Sequence, residues 1–185
     1  GGGGSNNSTV DTAYLYGSGI PETNAFSPSS AGTVGLAQLT PLDIGVGATF
    51  NRIGINISTA SGNANGVRLG IYDSGTDGLP NNLVVDAGTV SGTTTGEKEL
   101  VINVTLSVGR YWFATVKRSA VSCRLLNDPV SFISQVGGSN STAFWSYFQS
   151  SSYTGASDAF VSTVTVAESH IISGDSLAPW IRKGV

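Results

Sequence analysis

The sequence has few charged residues, one cysteine, one histidine and no methionine. Charged residues make up 11% of the 185 residues, and the formal net charge is −3. Charge is therefore less than half as frequent as in typical soluble domains. The basic residues form no cluster longer than the pairs Lys117-Arg118 and Arg182-Lys183. Because the chain lacks the electrostatic footprint of a nucleic-acid-binding protein, we expect no nucleic-acid partner.

The single cysteine and the single histidine exclude several kinds of site. Cys123 cannot form an internal disulfide, and one Cys with one His cannot build a metal centre from these residue types. Cys123 lies in a predicted strand, so we expect a buried, unreactive thiol, with a reactive thiol as the weaker alternative. A Ser-His-Asp mechanism would have to use His170, but no serine lies in a G-x-S-x-G motif. We expect no enzymatic activity and no cofactor.

Long apolar runs are also absent, so we expect no insertion into a membrane. A hydrophobic content of 39% excludes a disordered chain despite 25 glycines, and the length suits one sizeable core. The chain begins at Gly1 without Met, so we expect a processed product or a fragment. We expect residues 1–33 to be a flexible linker and an extended arm with one short strand, and residues 34–185 to be the folded domain. The aromatic cluster at Tyr14 and Tyr16 would pack on this domain or on a neighbouring subunit.

Residues 67–116 contain the clearest secondary-structure pattern. Val67, Leu69 and Ile71 alternate with other residues at period 2, as in a strand with one buried face. Turn residues fill positions 73–82, and alternation resumes at 83–87, 100–106 and 110–117. Further predicted strands cover 34–44, with Pro41 at an edge or bend, and 49–59, 121–126, 159–167 and 179–183. About eight to ten strands predict an all-β, antiparallel, jelly-roll-like β-sandwich.

Several motifs in this region resemble a β-sandwich module of tailed-bacteriophage virion proteins, chiefly tail fibres and other receptor-binding or head-decorating appendages. They are RLGIY at 68–72, LVVDAGTV at 83–90, LSVG at 106–109 and YWFA at 111–114. The preceding segment FNRIGI at 50–55 also fits, so the resemblance covers roughly residues 34–118. The resemblance implies a virion-surface domain, often homotrimeric, that faces the host surface or the capsid.

The best candidate binding site lies in the predicted loop 137–158, which is rich in aromatic residues. Aromatic faces stack on sugar rings, while amide side chains bond to hydroxyl groups. Three alternatives compete: glycan binding, a satellite core under the loop, and a trimer interface. Trp145 is the residue most expected to bind a ligand. The full candidate set is Trp145, Tyr147, Phe144, Tyr153, Gln149 and Asn140.

Acidic residues offer two weaker candidate sites. Glu97 and Glu99 share one face of a predicted strand at about 6–7 Å, a separation found in some glycosidases, but a solvated sheet edge is favoured. Asp73, Asp77 and Asn81 lie in one turn, but their spacing lacks the EF-hand pattern. We therefore expect a metal-free turn bonded by its own Asp side chains.

The large aromatic residues elsewhere are expected to be structural. Trp112 lies in a regular predicted strand, which favours packing in the core over a binding role. Trp180, near the end of the chain, is expected in the core or in an interface. Neither residue is a candidate for ligand binding.

Taken with the resemblance, these features favour a non-enzymatic virion domain, most of all the distal or C-terminal part of a tail fibre that recognises a host cell-surface glycan. A capsid decoration or head-fibre domain is the alternative, with the N-terminal arm docking on the capsid. A polysaccharide depolymerase using Glu97 and Glu99, and a cellular carbohydrate-binding module, are weaker hypotheses.

Overall fold

The computed structural model of the chain is all-β, with two antiparallel sheets. It describes residues 15–16, 26–29, 33–126, 145–149, 159–165, 171–173 and 176–183, and these residues include no helix. The described strands, in chain order, are β1 Leu15–Tyr16, β2 Phe26–Ser29, β3 Ala37–Ile44, β4 Ala48–Thr59, β5 Val67–Ser74, β6 Pro80–Val90, β7 Gly96–Leu106, β8 Gly109–Lys117, β9 Ser122–Leu126, β10 Trp145–Gln149, β11 Ile171–Ser173, β12 Ser176–Leu177 and β13 Trp180–Lys183.

One sheet has six strands in the order β11-β10-β3-β8-β5-β6. Its central strand β8 pairs along its length with β3 on one side and β5 on the other. The alternation that predicted a strand at 67–71 places Val67, Leu69 and Ile71 on one face, and all three are fully buried. Pro41 lies in β3 beyond Leu39, the last β3 residue paired with β10. Proline, which has no backbone N–H, is tolerated at position 41 because β10 no longer pairs with this part of β3.

The other sheet has seven strands and is built around β4. Strand β7 pairs with one side of β4, from Ala48 to Ile57. On the opposite side β4 pairs first with β13 and then with β9. The short strands β1 and β2, within the segment predicted to be an arm, pair with β13 and β9. A side chain at Gly54 would overlap the indole of Trp180, the residue opposite it in β13.

The main core lies between the two sheets. It is made almost entirely of aliphatic and aromatic side chains from alternate positions of the strands, so the period-2 pattern becomes the packing pattern. Its buried members are Leu42, Ile44, Phe50, Ile53, Ile55, Ile57, Val67, Leu69, Ile71, Val90, Ile102, Leu106, Phe113, Val121, Cys123, Leu177 and Ile181.

A second apolar layer covers the other face of the six-stranded sheet. Tyr72 and Trp112 lie opposite each other in neighbouring strands and are buried there with Phe160 and Val164. The Trp112 indole N–H donates to the Ser74 hydroxyl at 2.8 Å. The prediction that Trp112 packs in the core is therefore confirmed. Trp180 is buried as well, with 1% of its surface exposed.

Residues 159–167 were predicted to form a strand, and that prediction is wrong for the described part, 159–165. Thr163 forms an isolated bridge with Asn82 at the edge of the sheet, and two backbone bonds join the segment to β6: the Leu83 N–H donates to the Ser162 carbonyl at 2.8 Å, and the Val164 N–H donates to the Asn81 carbonyl at 2.9 Å. Side-chain bonds add to these: the Phe160 N–H donates to Asp86 Oδ2 at 2.9 Å, and the Val161 carbonyl accepts the Tyr72 hydroxyl at 2.8 Å. The apolar alternation marked a buried segment correctly, but scattered backbone and side-chain bonds hold it in place of a continuous ladder.

The all-β prediction is confirmed, since two antiparallel sheets enclose one core. The described strands pair in a sandwich, as the alternating pattern of 67–116 indicated. The jelly-roll connectivity stays a prediction.

Candidate functional site

The predicted aromatic site falls on a strand rather than on a loop. Trp145–Gln149 forms β10, which pairs with β3 and β11, so the loop prediction for 137–158 is wrong at these positions. Asn140, Phe144 and Tyr153 lie outside the described residues. Backbone pairing on both sides explains the error: aromatic residues favour strands, and surrounding Ser and Gly residues gave the segment the composition of a loop.

Strand β10 carries three of the predicted residues, at the alternate positions 145, 147 and 149. Tyr147 lies opposite Leu39, and Gln149 lies opposite Ala37. Both partners belong to the second apolar layer. The choice between ligand binding and packing at Trp145, Tyr147 and Gln149 stays a prediction.

A different group of residues forms a defined site at one end of the sandwich. The antiparallel registers bring together the segments 33–36, 60–66, 91–95 and 118–121, which precede β3 and follow β4, β6 and β8. We call this region the basic end. Loops at the end of a sandwich are where binding residues are commonly carried, because the sheets hold them in place.

Hydrogen bonds join the loops of the basic end to one another. The Ser61 N–H donates to the Gly92 carbonyl at 3.0 Å, and the Gly92 N–H donates to the Asn63 carbonyl at 3.0 Å. The Ser61 hydroxyl donates to Ser119 Oγ at 2.8 Å. The Arg118 N–H donates to the Gly66 carbonyl at 2.7 Å. These bonds cross from loop to loop, so the loops form one rigid unit.

Two glycines allow this close approach. A Cβ at Gly66 would lie 2.6 Å from the Gly92 nitrogen and 2.7 Å from the Val90 carbonyl oxygen. A Cβ at Gly92 would lie 2.8 Å from Val121 Cγ1 and 3.0 Å from the Asn63 carbonyl oxygen. Backbone atoms that are hydrogen-bonded cannot give way, so only glycine fits at these contacts.

A pocket of about 400 Å³ opens at the basic end. This volume lies within the range of small-molecule sites. Polar and basic side chains dominate the wall. The lining residues are Val34, Gly35, Asn63, Asn65, Arg68, Thr89, Lys117 and Arg118.

Arg68 is held in the pocket wall by Asp86. Its Nε and Nη2 atoms donate to the two carboxylate oxygens at 2.9 and 2.7 Å, and the two side chains are each 17% exposed. The guanidinium carbon lies 5.8 Å from the centre of the Phe160 ring. Asp86 also accepts the backbone N–H groups of Phe160 and Gly88. The bidentate ion pair, together with the bonds that Asp86 accepts from the backbone, fixes the position of the Arg68 guanidinium.

Lys117 and Cys123 interact with each other in a poorly solvated environment. Lys117 is 4% exposed, and burial lowers the pKa of its ammonium group, although the nearby Cys123 acts in the opposite direction. Burial also raises the pKa of the Cys123 thiol to about 11, against a smaller effect from Lys117. The prediction that Cys123 is buried is confirmed, and the raised pKa favours the thiol over the reactive thiolate.

The turn after β5 is bonded by its own Asp side chains, as predicted. Asp73 Oδ1 accepts the Asn82 N–H, and Asp77 Oδ1 accepts the Leu79 N–H at 3.0 Å. Both carboxylates therefore bond to the backbone of their own turn. Within the described part of the chain no group of three or more metal-ligating side chains occurs.

Glu99 takes part in ion pairs on the outside of the seven-stranded sheet. It accepts Arg52 Nε at 3.2 Å and Arg182 Nη2 at 2.9 Å. Glu97 is exposed two residues earlier on β7. This arrangement agrees with the solvated edge that the sequence favoured over a carboxylate pair for catalysis.

Sequence reasoning missed the basic-end pocket. The pair Lys117-Arg118 was visible in the sequence, and Arg68 lies in one of the motifs of the resemblance. Asn63 and Asn65 looked like ordinary turn residues, and Thr89 lies in the LVVDAGTV motif of the resemblance. The registers of β5, β6 and β8 bring these separate segments together, and no local pattern encodes that meeting.

Comparison with known proteins identifies no relative: no family model, no curated protein and no solved structure matches the chain. Among the described residues, no helix is long and apolar enough to cross a membrane. The site and the resemblance of residues 34–118 to phage appendage modules are therefore the basis for a function.

Proposed function

We propose that this chain is a non-enzymatic binding domain on the surface of a phage virion. It acts as the distal or C-terminal part of a tail fibre and recognises a glycan on the host cell. The domain works as a homotrimer on the tail fibre. This proposal starts from the resemblance of residues 34–118 to phage appendage modules.

The observation that carries the proposal is the polar pocket at the basic end. Its volume of about 400 Å³ suits one or two sugar residues. Asn63, Asn65 and Thr89 offer amide and hydroxyl groups to the hydroxyls of a sugar. The bonds between the loops hold these groups in place before a ligand arrives, which lowers the entropic cost of binding.

A weak single site suffices for attachment in this proposal. An open polar pocket gives modest affinity, because water competes for each hydrogen bond. Three copies in a trimer, and several fibres on a virion, raise the overall strength by avidity. Trp145, Tyr147 and Gln149 of β10 remain a second proposed contact.

The test is binding of the fluorescently labelled chain to a panel of bacterial hosts, measured by flow cytometry with the oligomeric state determined alongside. We expect strain-selective binding that is lost when surface polysaccharide is removed from the cells. Trp145→Ala measures the contribution of β10, and its melting temperature reports whether the variant folds.

Two results would contradict the proposal. Absence of binding to every strain by a folded trimer would favour the capsid decoration or head-fibre alternative. Binding that persists on cells stripped of polysaccharide would point to a protein receptor instead of a glycan.

A further inference from the structure

Strands β5 and β6 place two polar side chains on the same side of the basic-end pocket. Arg68 and Thr89 are cross-strand partners, and both line the pocket. Partners in an antiparallel pair share one face of the sheet. This face is the outer one, because the neighbouring Val67 is buried in the main core and lies opposite Lys117. Arg68 and Thr89 therefore form the part of the pocket wall that the strands present to a ligand.

The Arg68 guanidinium is bonded along one edge only. Its Nε and Nη2 atoms donate to the Asp86 carboxylate, and no bond described for this residue uses Nη1. Asp86 is not among the residues that line the pocket. Because the carboxylate compensates the positive charge, Arg68 offers the two N–H groups of Nη1 to a ligand with little net charge.

Asn63 adds a second donor, and its orientation is fixed. Its Oδ1 atom accepts the Asn65 N–H at 2.9 Å. Since the carboxamide is planar, this bond leaves Nδ2 as its donor to a ligand, and no described bond uses that atom. The side chains of Asn65 and Thr89 also make no described hydrogen bond, and each can both donate and accept. Donors therefore outnumber acceptors in this part of the wall.

Val34 gives the pocket one apolar contact. It is the only residue in the lining with an apolar side chain, and it is 47% exposed. The Gly35 N–H donates to the Lys117 carbonyl at 2.8 Å, which ties this segment to the end of β8. A ligand that covers Val34 with a methyl group removes apolar surface from water.

We infer that the basic-end pocket binds the acetamido group of an N-acetylated sugar. This inference rests on the proposed function and adds the class of sugar. The acetamido carbonyl oxygen has two lone pairs, which accept from Arg68 Nη1 and Asn63 Nδ2. The methyl group packs against Val34, and Asn65 and Thr89 bond to the amide N–H and the ring hydroxyls.

Two other groups use the same wall less completely. A sugar hydroxyl has one donor hydrogen of its own and no methyl group, so it leaves Val34 uncovered. A carboxylate accepts as well as a carbonyl does, but it would share the Arg68 guanidinium with the Asp86 carboxylate, and like charges repel. A neutral acceptor beside a methyl group fits both the donors and the valine.

Titration calorimetry on the full chain tests the inference with N-acetylglucosamine, N-acetylgalactosamine, glucose, galactose, glucuronate and acetamide. We expect at least one N-acetyl sugar to bind about 10-fold more tightly than its parent sugar, because the acetamido group adds hydrogen bonds and an apolar contact. Acetamide alone should bind more weakly than that sugar. In saturation-transfer NMR, the acetyl methyl protons should receive the largest transfer from the protein.

Asn63→Asp removes the donor while it keeps an oxygen for the Asn65 N–H. It should weaken binding of the preferred N-acetyl sugar about 10-fold. The matched control is Asn103→Asp, which makes the same change of charge at an exposed position of β7 outside the pocket lining. The control should leave the affinity unchanged, and both variants should keep the melting temperature of the parent chain.

Val34→Ser tests the apolar contact separately. It should reduce the preference for the N-acetyl sugar over its parent sugar about threefold and leave binding of the parent sugar unchanged. Val46→Ser is the matched control, because Val46 is exposed and lies outside the pocket lining. The control should keep the full preference.

Several results would overturn the inference. These are equal affinity for the N-acetyl sugars and their parent sugars, tighter binding of glucuronate, an equal loss in Asn103→Asp, or no saturation transfer to the methyl protons. If the N-acetyl preference fails while host cells still bind the chain through polysaccharide, the tail-fibre role stands and this inference fails. If the preference holds while no host binds, the class of sugar stands and the tail-fibre role fails.

Discussion

The two ends of the sandwich carry different chemistry on the same set of strands. At the basic end, loops bond to one another and enclose a polar pocket. At the opposite end, segments 45–47, 75–79 and 107–108 carry Val46 and Val108, which are 71% and 69% exposed; we call this region the valine end. Hydrogen bonds described for the 75–79 loop are local and join residues within 74–79.

This difference separates two requirements of a binding protein. A polar pocket is useful only if its donors and acceptors are already in place, since ordering them on binding would cost affinity. Exposed apolar residues carry no such requirement, because apolar contacts lack direction. The crosslinked loops and the close glycine contacts are therefore expected where the ligand binds.

The largest expected effect comes from filling the contact between two loops of the basic end. Gly66→Ala would place a Cβ 2.6 Å from the Gly92 nitrogen, and should lower the free energy of unfolding by about 3 kcal/mol. At the valine end, a Cβ at Gly45 would have no atom within 4 Å, so Gly45→Ala should change the free energy of unfolding by less than about 0.5 kcal/mol. Urea denaturation measures both. Equal effects would show that the loops of the basic end move apart readily.

A second comparison uses the two arginine–aspartate pairs of the six-stranded sheet. In the pair of Arg68 with Asp86, both side chains are 17% exposed, and the carboxylate also accepts two backbone N–H groups. In the pair of Arg110 with Asp43 the carboxylate is 38% exposed. Asp86→Ala should destabilise the chain by about 2–3 kcal/mol and Asp43→Ala by about 1 kcal/mol or less. Thermal and urea unfolding of the two variants measure these losses of stability. A larger loss for Asp43→Ala than for Asp86→Ala would contradict the burial argument.

A smaller effect on the free energy of unfolding is expected for single hydrogen bonds between two hydroxyl groups. Ser61 and Ser119 join two loops of the basic end at 2.8 Å, whereas Thr49 and Thr105 form an exposed bond of the same length between β4 and β7. Double-mutant cycles with alanine should give a coupling of about 1 kcal/mol for the serine pair and about 0.3 kcal/mol for the threonine pair. A larger coupling in the threonine pair would mean that solvent exposure does not decide the strength of these bonds.

The smallest effect is expected at the exposed valines. Val46→Ser and Val108→Ser should each change the free energy of unfolding by less than about 0.5 kcal/mol, because little apolar surface is buried there. Binding of the chain to host cells should stay within about twofold of the parent chain. A larger loss of binding would show that the two ends are coupled.

The sequence predicted the sandwich because the period-2 pattern directly encodes which residues are buried. Val67, Leu69 and Ile71 lie on the inner face as their alternation indicated. The turn after β5 was also predictable, since Asp73 and Asp77 bond to backbone groups close to them in sequence. Interactions between residues that are close in sequence can be recognised from the local pattern of residue types.

The basic-end pocket was not predictable from the sequence, because its contacts join residues that are far apart in the chain. Arg68 and Asp86 are separated by a hairpin, and Asn63 meets Gly92 from another loop. Segment 159–165 alternates like a strand, yet its backbone bonds are divided between the side chains of Asp86 and Tyr72 and two backbone groups of β6. Contacts of this kind depend on the register of distant strands, which single-residue preferences do not specify.

The position of β13 has a consequence for synthesis of the chain on the ribosome. Residues 180–183 pair with β4 on one side, and β1 pairs with β13 in turn. Translation must therefore reach residue 183 before β4 gains this partner and before β1 has a strand to join. Until then the nascent chain presents the side of β4 as an open edge, the kind of surface on which partly folded chains aggregate. Completion of the seven-stranded sheet is therefore a late step in the folding of this domain, because it waits for residues 180–183.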